Sequence, residues 1–219
     1  MSTSMRKKAA IILSGCGFLD GSEIHETTLL FLVLDRRGIE YHCFAPNKEG
    51  AKVISHISKK RMDEERNVLE ESARIARGDI RDIQMLNVDE YDILAIPGGL
   101  GVTTNLSNFE TLGEKCSVDL DLSRLILQFY QKKKPILAIC IAPVILAKVL
   151  EGKGIMMTLG TDRQYIELLN RLGMKGKSCK VNECCIDVLH KIYTCPGYME
   201  PPHIAGIFES LENAIGSIL

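Results

Sequence analysis

The chain has 219 residues, 46% of them hydrophobic and 25% charged, with a formal net charge of −1. That length and balance fit one globular domain over residues 1–219 and leave no overall field to attract a polyanion, which argues against nucleic-acid binding. No apolar run approaches the roughly 20 residues of a membrane-spanning helix, so no membrane partner is expected.

The N-terminus, Met1 to Lys8, runs straight into a strand without a signal-peptide cleavage pattern, and a cytoplasmic location is expected. The first strand covers Ala9–Leu13. Asp20 and Glu23 then resemble a capping box, and Ile24, Thr28, Leu32 and Leu34 recur at helical spacing until Arg36-Arg37-Gly38 closes the helix. A second strand spans Glu40 to Ala45 and breaks at Pro46-Asn47. Residues 47–65 read as an inserted loop or small hairpin, and Val68, Leu69, Ser72, Ile75 and Ala76 mark the next helix face.

Asp92–Ile96 is a buried strand that stops at Pro97-Gly98-Gly99. A long connection over residues 100–118 leads to a helix from Leu120 to Lys133. Pro135–Ile139 is another buried strand, followed without a turn residue by Cys140 and a helix from about Ala142 to Leu150. A strand near Ile155–Leu159, a helix over Gln164–Leu172, a strand pair near Ile186–Thr194 and a C-terminal helix complete the chain. Apolar strands alternating with amphipathic helices predict an α/β fold with a mostly parallel sheet covered on both faces.

In such sheets ligands sit beyond the carboxyl ends of the strands. Three strand ends carry unusual residues: Ser14-Gly15-Cys16-Gly17, Pro97-Gly98-Gly99, and Cys140. A sharp strand-to-helix turn would project the Cys140 side chain as in a nucleophile elbow. The neighbouring helix N-terminus would favour its thiolate. A buried structural cysteine at a strand end accounts for the same spacing equally well. Gly98-Gly99 offers close-approaching backbone N–H groups for an oxyanion, with a plain tight turn as the alternative.

Glu23 and Glu26 lie three residues apart on the first helical turn, and either carboxyl could meet a thiolate in the crevice. His25, Asn105, Asn108 and Asp162 are candidates for the pocket rim. Cys16 is a candidate resolving thiol for Cys140. The eight cysteines form no C-x-x-C pair, and reduced thiols are expected. His25, His42, His56, His190 and His203 show no paired ligand spacing, so neither a metal nor a cofactor is expected.

Pro97-Gly98-Gly99, Cys140 ahead of Ala142-Pro143, and the acidic helix start before Arg36-Arg37-Gly38 together resemble the DJ-1/PfpI superfamily, which is related to class I glutamine amidotransferases. Asp20-Gly21-Ser22-Glu23-Ile24-His25-Glu26, Ala73-Arg74-Ile75-Ala76-Arg77-Gly78, Asn105-Leu106-Ser107 and Cys140-Ile141-Ala142-Pro143 are similar to its ES1/ElbB branch. The resemblance spans nearly the whole chain. It implies a flavodoxin-like three-layer sandwich, commonly homodimeric, whose bacterial members are described as glyoxalases or linked to isoprenoid biosynthesis.

It also implies Cys140 as nucleophile, Glu26 rather than Glu23 as its acidic partner, and Gly98 and Gly99 as the oxyanion turn. Two departures stand out. Ile141 occupies the position of a histidine in protease-like members, and Leu159 that of a histidine in DJ-1-like members. The function expected is cofactor-independent glyoxalase chemistry on glyoxal or methylglyoxal, a small carbonyl substrate. A redox-responsive or interaction protein with an oxidisable Cys140 is the second reading, and an amidase or glutaminase-like hydrolase the third.

Overall fold

The computed structural model describes residues 6–201 and 203–219; residues 1–5, the start of the stretch read for an export signal, lie outside them. Runs of apolar, β-compatible residues form the strands β1 (Lys8–Ile12), β2 (Glu40–Ala45), β3 (Ile80–Asp82), β4 (Ile93–Ile96) and β5 (Ile136–Ile139). The second half adds β6 (Met156–Met157), β7 (Lys175–Gly176), β8 (Cys185–Asp187) and β9 (Ile192–Cys195). Seven of these make one sheet in the order β3-β2-β1-β4-β5-β9-β8, while β6 and β7 pair separately.

Every neighbouring pair in the large sheet is parallel except β8 with β9, which is antiparallel. Strands β4 and β5 are buried along their whole length, as expected of strands covered on both faces. The helices are α1 (Ile24–Arg36), α2 (Val68–Ile75), α3 (Gly101–Thr104), α4 (Phe109–Leu112), α5 (Leu120–Gln131), α6 (Pro143–Val149), α7 (Arg163–Arg171) and α8 (Ile204–Ile218). Helix α1 packs on α8, and α5 on α6. The result is the covered, mostly parallel sheet expected from the alternation of elements, in the flavodoxin-like sandwich that the resemblance implies, with a contiguous cluster of buried apolar side chains around the sheet.

The strand order reverses between β1 and β4, so the crevice at their carboxyl ends is the place where such a sheet opens to a ligand. The chain segments after β1, β4 and β5 all leave the sheet at that edge. Strand β9 lies parallel beside β5 because the β8–β9 hairpin turns the chain back, and this adds a fourth segment, residues 196–199, to the same edge.

Several local expectations need correction. Helix α1 turns Ile24 and Leu32 outward, 44% and 45% exposed, with Thr28 on the same outer face; of the expected positions only Leu34 is buried, and Glu26, Thr27, Leu30 and Val33 complete the inward stripe. Glu23 is itself the N-cap of α1, accepting from the Glu26 N–H at 2.7 Å, while Asp20 leaves the helix to accept from the Ile54 N–H at 2.6 Å.

The edge strand β3 escaped sequence reading because three residues are too few to show a period of two. The strand expected over 155–159 is reduced to the two residues of β6. Residues 47–65 form small antiparallel bridges, Glu49 with Asn67 and Ile54 with Arg61, and residues 100–118 carry the short helices α3 and α4.

Candidate active site

Cys140 joins β5 to α6 in a single sharp step. Its backbone adopts φ +60°, a left-handed conformation that costs a non-glycine residue energy and that clusters at functional sites. The turn is held from both sides: the Cys140 N–H donates to the Cys195 carbonyl at 2.9 Å, and the Ala142 N–H to the Ile139 carbonyl at 3.0 Å. Pro143, the first residue of α6, needs no N–H partner there. The Cys140 side chain, 7% exposed, forms part of the floor of a cavity of about 630 Å³.

Glu26 reaches the sulfur from α1. Its position follows from the helix: Glu26, Leu30 and Val33 lie on one stripe that faces inward, so the carboxyl is carried into the core at the upper end of an apolar face. It is fully buried beside Cys140 and held by two backbone donors. The Gly98 N–H donates to Oε2 at 3.0 Å and the Tyr198 N–H to Oε1 at 2.9 Å.

Two glycines clamp the pair. A Cβ on Gly98 would overlap the Cys140 Cβ and lie 2.9 Å from its Sγ; a Cβ on Gly197, whose φ is +54°, would overlap Glu26 Oε1 and lie 3.0 Å from the Cys140 Cβ. Only residues without a side chain let β4 and the segment after β9 close on both flanks of the thiol and carboxyl.

This arrangement revises the expected oxyanion turn. The Gly98 N–H is already engaged by Glu26, so it is not free for a substrate. The donors directed at the Cys140 sulfur are the N–H groups of Gly99 and Ile141. The second is the backbone amide of the residue after the nucleophile, at the start of α6, as in other nucleophile elbows.

The expected resting thiolate also needs correction. Burial, and then the adjacent Glu26 charge, push the Cys140 thiol well above its ordinary value; the Gly99 and Ile141 N–H groups oppose this only in part. Burial also pushes Glu26 up, to about 8, with the Glu23 charge adding to it and the Tyr198, Cys140 and Gly98 hydrogen bonds opposing. Two acids in contact within a low-dielectric site are thus fully protonated below about neutral pH, and the first proton leaves the pair near pH 8.

Of the remaining candidates, Glu23 and His25 line the cavity; His25 Nδ1 lies 2.7 Å from the Tyr198 hydroxyl. Cys16 does not. It opens on a separate small polar pocket with Asp20, Arg66 and Glu71, away from the resolving position expected for it. Asn105 is a structural clamp, donating to the Ser14 and Asp20 carbonyls at 2.8 and 2.9 Å and accepting from the Ala51 N–H at 2.9 Å. Asn108 accepts from the Ser117 N–H, and Asp162 caps α7 by accepting from the Gln164 N–H. All three are side chains whose polar atoms serve local backbone, which draws them away from the rim.

Sequence reasoning missed Gly197, Tyr198 and Met199. A signal existed: Cys195-Pro196-Gly197 repeats, after another buried strand, the pattern Ile96-Pro97-Gly98. Among the described residues no group of three or more His, Cys, Asp or Glu side chains is arranged to hold a metal ion.

A thiol on a strand-to-helix elbow, met by a carboxyl from α1 beside the glycines that follow β4, brings together the residues that the sequence resemblance implied. The family model of the DJ-1/PfpI family matches residues 7–164. The chain belongs to the DJ-1/PfpI family. It is 37% identical to the mitochondrial ES1 protein homolog of Rattus norvegicus, over 98% of this chain and 84% of that protein. It is 39% identical to the mitochondrial glutamine amidotransferase-like class 1 domain-containing protein 3 of Homo sapiens, over 88% of this chain and 75% of that one. Among solved structures, an isoprenoid biosynthesis protein with an amidotransferase-like domain from Ehrlichia chaffeensis superposes with a TM-score of 0.90 at 36% identity, covering 96% of this chain and 98% of its own. No described helix is long and apolar enough to cross a membrane.

Proposed function

We propose that this member of the DJ-1/PfpI family is a cofactor-independent glyoxalase acting on 1,2-dicarbonyls through Cys140 and Glu26. The observation that carries the reading is the buried juxtaposition of the two between Gly98 and Gly197, with a carboxyl pushed up to about 8, where it can both take and return a proton at working pH.

The Cys140 sulfur adds to the aldehyde carbon as Glu26 removes the thiol proton, and that proton passes to the aldehyde oxygen, giving a hemithioacetal. The Gly99 and Ile141 N–H groups stabilise the negative charge developing around the sulfur and oxygen. Glu26 then takes the hydrogen of the former aldehyde carbon as a proton, leaving an enediolate; the hydroxyl proton moves to the neighbouring oxygen, and Glu26 returns its own proton to the neighbouring carbon to leave a thioester. Water cleaves the thioester, releasing a 2-hydroxy acid and the Cys140 thiol. The sum is dicarbonyl plus water to hydroxy acid, with no external oxidant or reductant.

Cys140→Ala should abolish 2-hydroxy acid formation from methylglyoxal, and Glu26→Gln should lower it by about 10²–10⁴-fold, the usual range for a general acid–base group. Wild-type rates in the Cys140→Ala protein would refute the mechanism.

Oxidation sensing at Cys140 is less well supported, because a thiol raised by burial presents little thiolate to peroxide. Amide hydrolysis of the cysteine–histidine kind is less well supported, because Ile141 stands directly after Cys140 where that dyad has its histidine. Catalysis by a free thiol requires a reducing compartment, in line with a cytoplasmic location; the rat and human relatives are named as mitochondrial. The name of the Ehrlichia chaffeensis protein connects it with isoprenoid biosynthesis, and the same thiol–carboxyl pair is the group through which this chain would act in such a route.

A further inference from the structure

The cavity above Cys140 is much larger than the smallest dicarbonyls require. At roughly 30 Å³ per heavy atom, the share of a water molecule in the liquid, methylglyoxal fills about 150 Å³. The cavity holds about 630 Å³, within the ~300–1,000 Å³ range of pockets that enclose ligands of ten or more heavy atoms.

Its chemistry is one-sided. Phe18, Leu100, Ile141, Tyr165 and Met199 supply apolar walls. Phe18 and Leu100 stay 46% and 36% exposed, an apolar surface that a ligand would cover. Phe18 is held in place: the His56 ring packs edge-on against it at 5.3 Å, and the His56 Nε2 accepts from the Leu19 N–H. The wall is therefore preformed.

Charge points the same way. No lysine or arginine is among the described residues lining the cavity, whereas Glu23 lines it and Glu26 lies behind its floor. A carboxylate or phosphate entering would lose its water, find no lysine or arginine, and face the Glu23 side chain. The polar handle present is the His25–Tyr198 pair at 2.7 Å, whose unused hydrogen-bonding positions suit a ketone or hydroxyl oxygen.

We propose that the cavity selects uncharged 2-oxoaldehydes bearing an aryl or branched alkyl arm, which lies between Tyr165, Met199 and Phe18 while the aldehyde carbon reaches Cys140. This substrate class rests on the glyoxalase reading above, but the binding preference is measurable without turnover.

Two measurements separate the claims. In the Cys140→Ser protein, acetophenone should bind at least about tenfold more tightly than 4-acetylbenzoate, the same ring carrying a carboxylate, when both are titrated by ligand-observed NMR. In the wild type, phenylglyoxal should exceed methylglyoxal in kcat/KM, and Tyr165→Ala should shrink that ratio by about tenfold, with folding checked by circular dichroism. Met199→Ala serves as the second variant should Tyr165→Ala fail to fold.

Equal binding of the two ring ketones, or a ratio that neither variant moves, would overturn the proposal. Selective acetophenone binding without turnover of any dicarbonyl would sustain the apolar, uncharged preference and remove the glyoxalase reading. Turnover of methylglyoxal without acetophenone binding would do the reverse.

Discussion

Three strand ends at one edge of the sheet carry glycine or cysteine, and the first came to the opposite use from the other two. After β1, the Ser14–Gly17 segment is tied down: Asn105 grips the Ser14 carbonyl, the Ser14 N–H donates to the Ser22 hydroxyl, and the Gly15 N–H donates to the Ser72 hydroxyl. Cys16 is left beside a small pocket whose Arg66 and Glu71 are within 3.6 Å of each other. After β4 and β5, the backbone N–H groups of Gly98, Gly99 and Ile141 point at a carboxyl and a sulfur that remain chemically available. Glycine and cysteine at a strand end do not make a site; polar groups left facing a cavity do.

That contrast can be broken most sharply at Gly197. Gly197→Ala places a methyl group against Glu26 and Cys140 at a backbone φ of +54°, and the displaced pair should lose about 10²-fold in dicarbonyl turnover, the scale expected for a misplacement near 1 Å. Turnover assays with melting curves on the same protein check this. Full activity would mean that the clamp does not position the pair.

A pH series tests the electrostatic half. The form able to start the reaction has Glu26 ionised and Cys140 protonated, so kcat/KM should rise with pH through about 8, and Glu26→Gln should remove that limb. Stability should move oppositely. The Glu26 carboxyl titrates at its ordinary 4.5 when unfolded and at about 8 when folded, so the folded state binds the extra proton. Its contribution is fully present below 4.5 and is lost as pH rises through 8, and melting temperatures across that window should fall accordingly. A flat kcat/KM between pH 6 and 9 would sink the assignment of Glu26 as base.

The smallest effect on chemistry is expected at the β1 end. Asn105→Ala strands three backbone partners, at roughly 1–3 kcal/mol for each group left unsatisfied. At about 2–4 °C per kcal/mol for a chain of this size, thermal denaturation should show a clear drop. Turnover below that melting point should stay within about twofold for Asn105→Ala and for Cys16→Ser. A large loss of rate in Cys16→Ser would restore the idea that all three strand ends serve one site.

Much of this molecule was legible as pattern. The buried strands Ile93–Ile96 and Ile136–Ile139 announce themselves as apolar runs stopped by Pro-Gly-Gly and by Cys140, and their alternation with helices dictates a parallel sheet. The edge at which Cys140, Gly98 and Glu26 meet follows from the rule that parallel strands point the same way. The pairing of Glu26 with Cys140 was implied by family resemblance, although the stripe Glu26, Leu30, Val33 held a physical signal of its own: an acid in line with core positions.

What the chain alone determined is local: where strands end, which turns need glycine, which helix brings a carboxyl to its first turn. Tertiary structure alone decided which polar groups were already spoken for. The Gly98 N–H went to Glu26, Asn105 went to the backbone, and β9 returned beside β5 to bring Gly197 and Tyr198 onto the pair. It also decided protonation, because the cost of a buried charge depends on everything packed around it. A local pattern could suggest a thiolate at a helix start; only the assembled core, by burying both, raises the thiol and the carboxyl above their ordinary values.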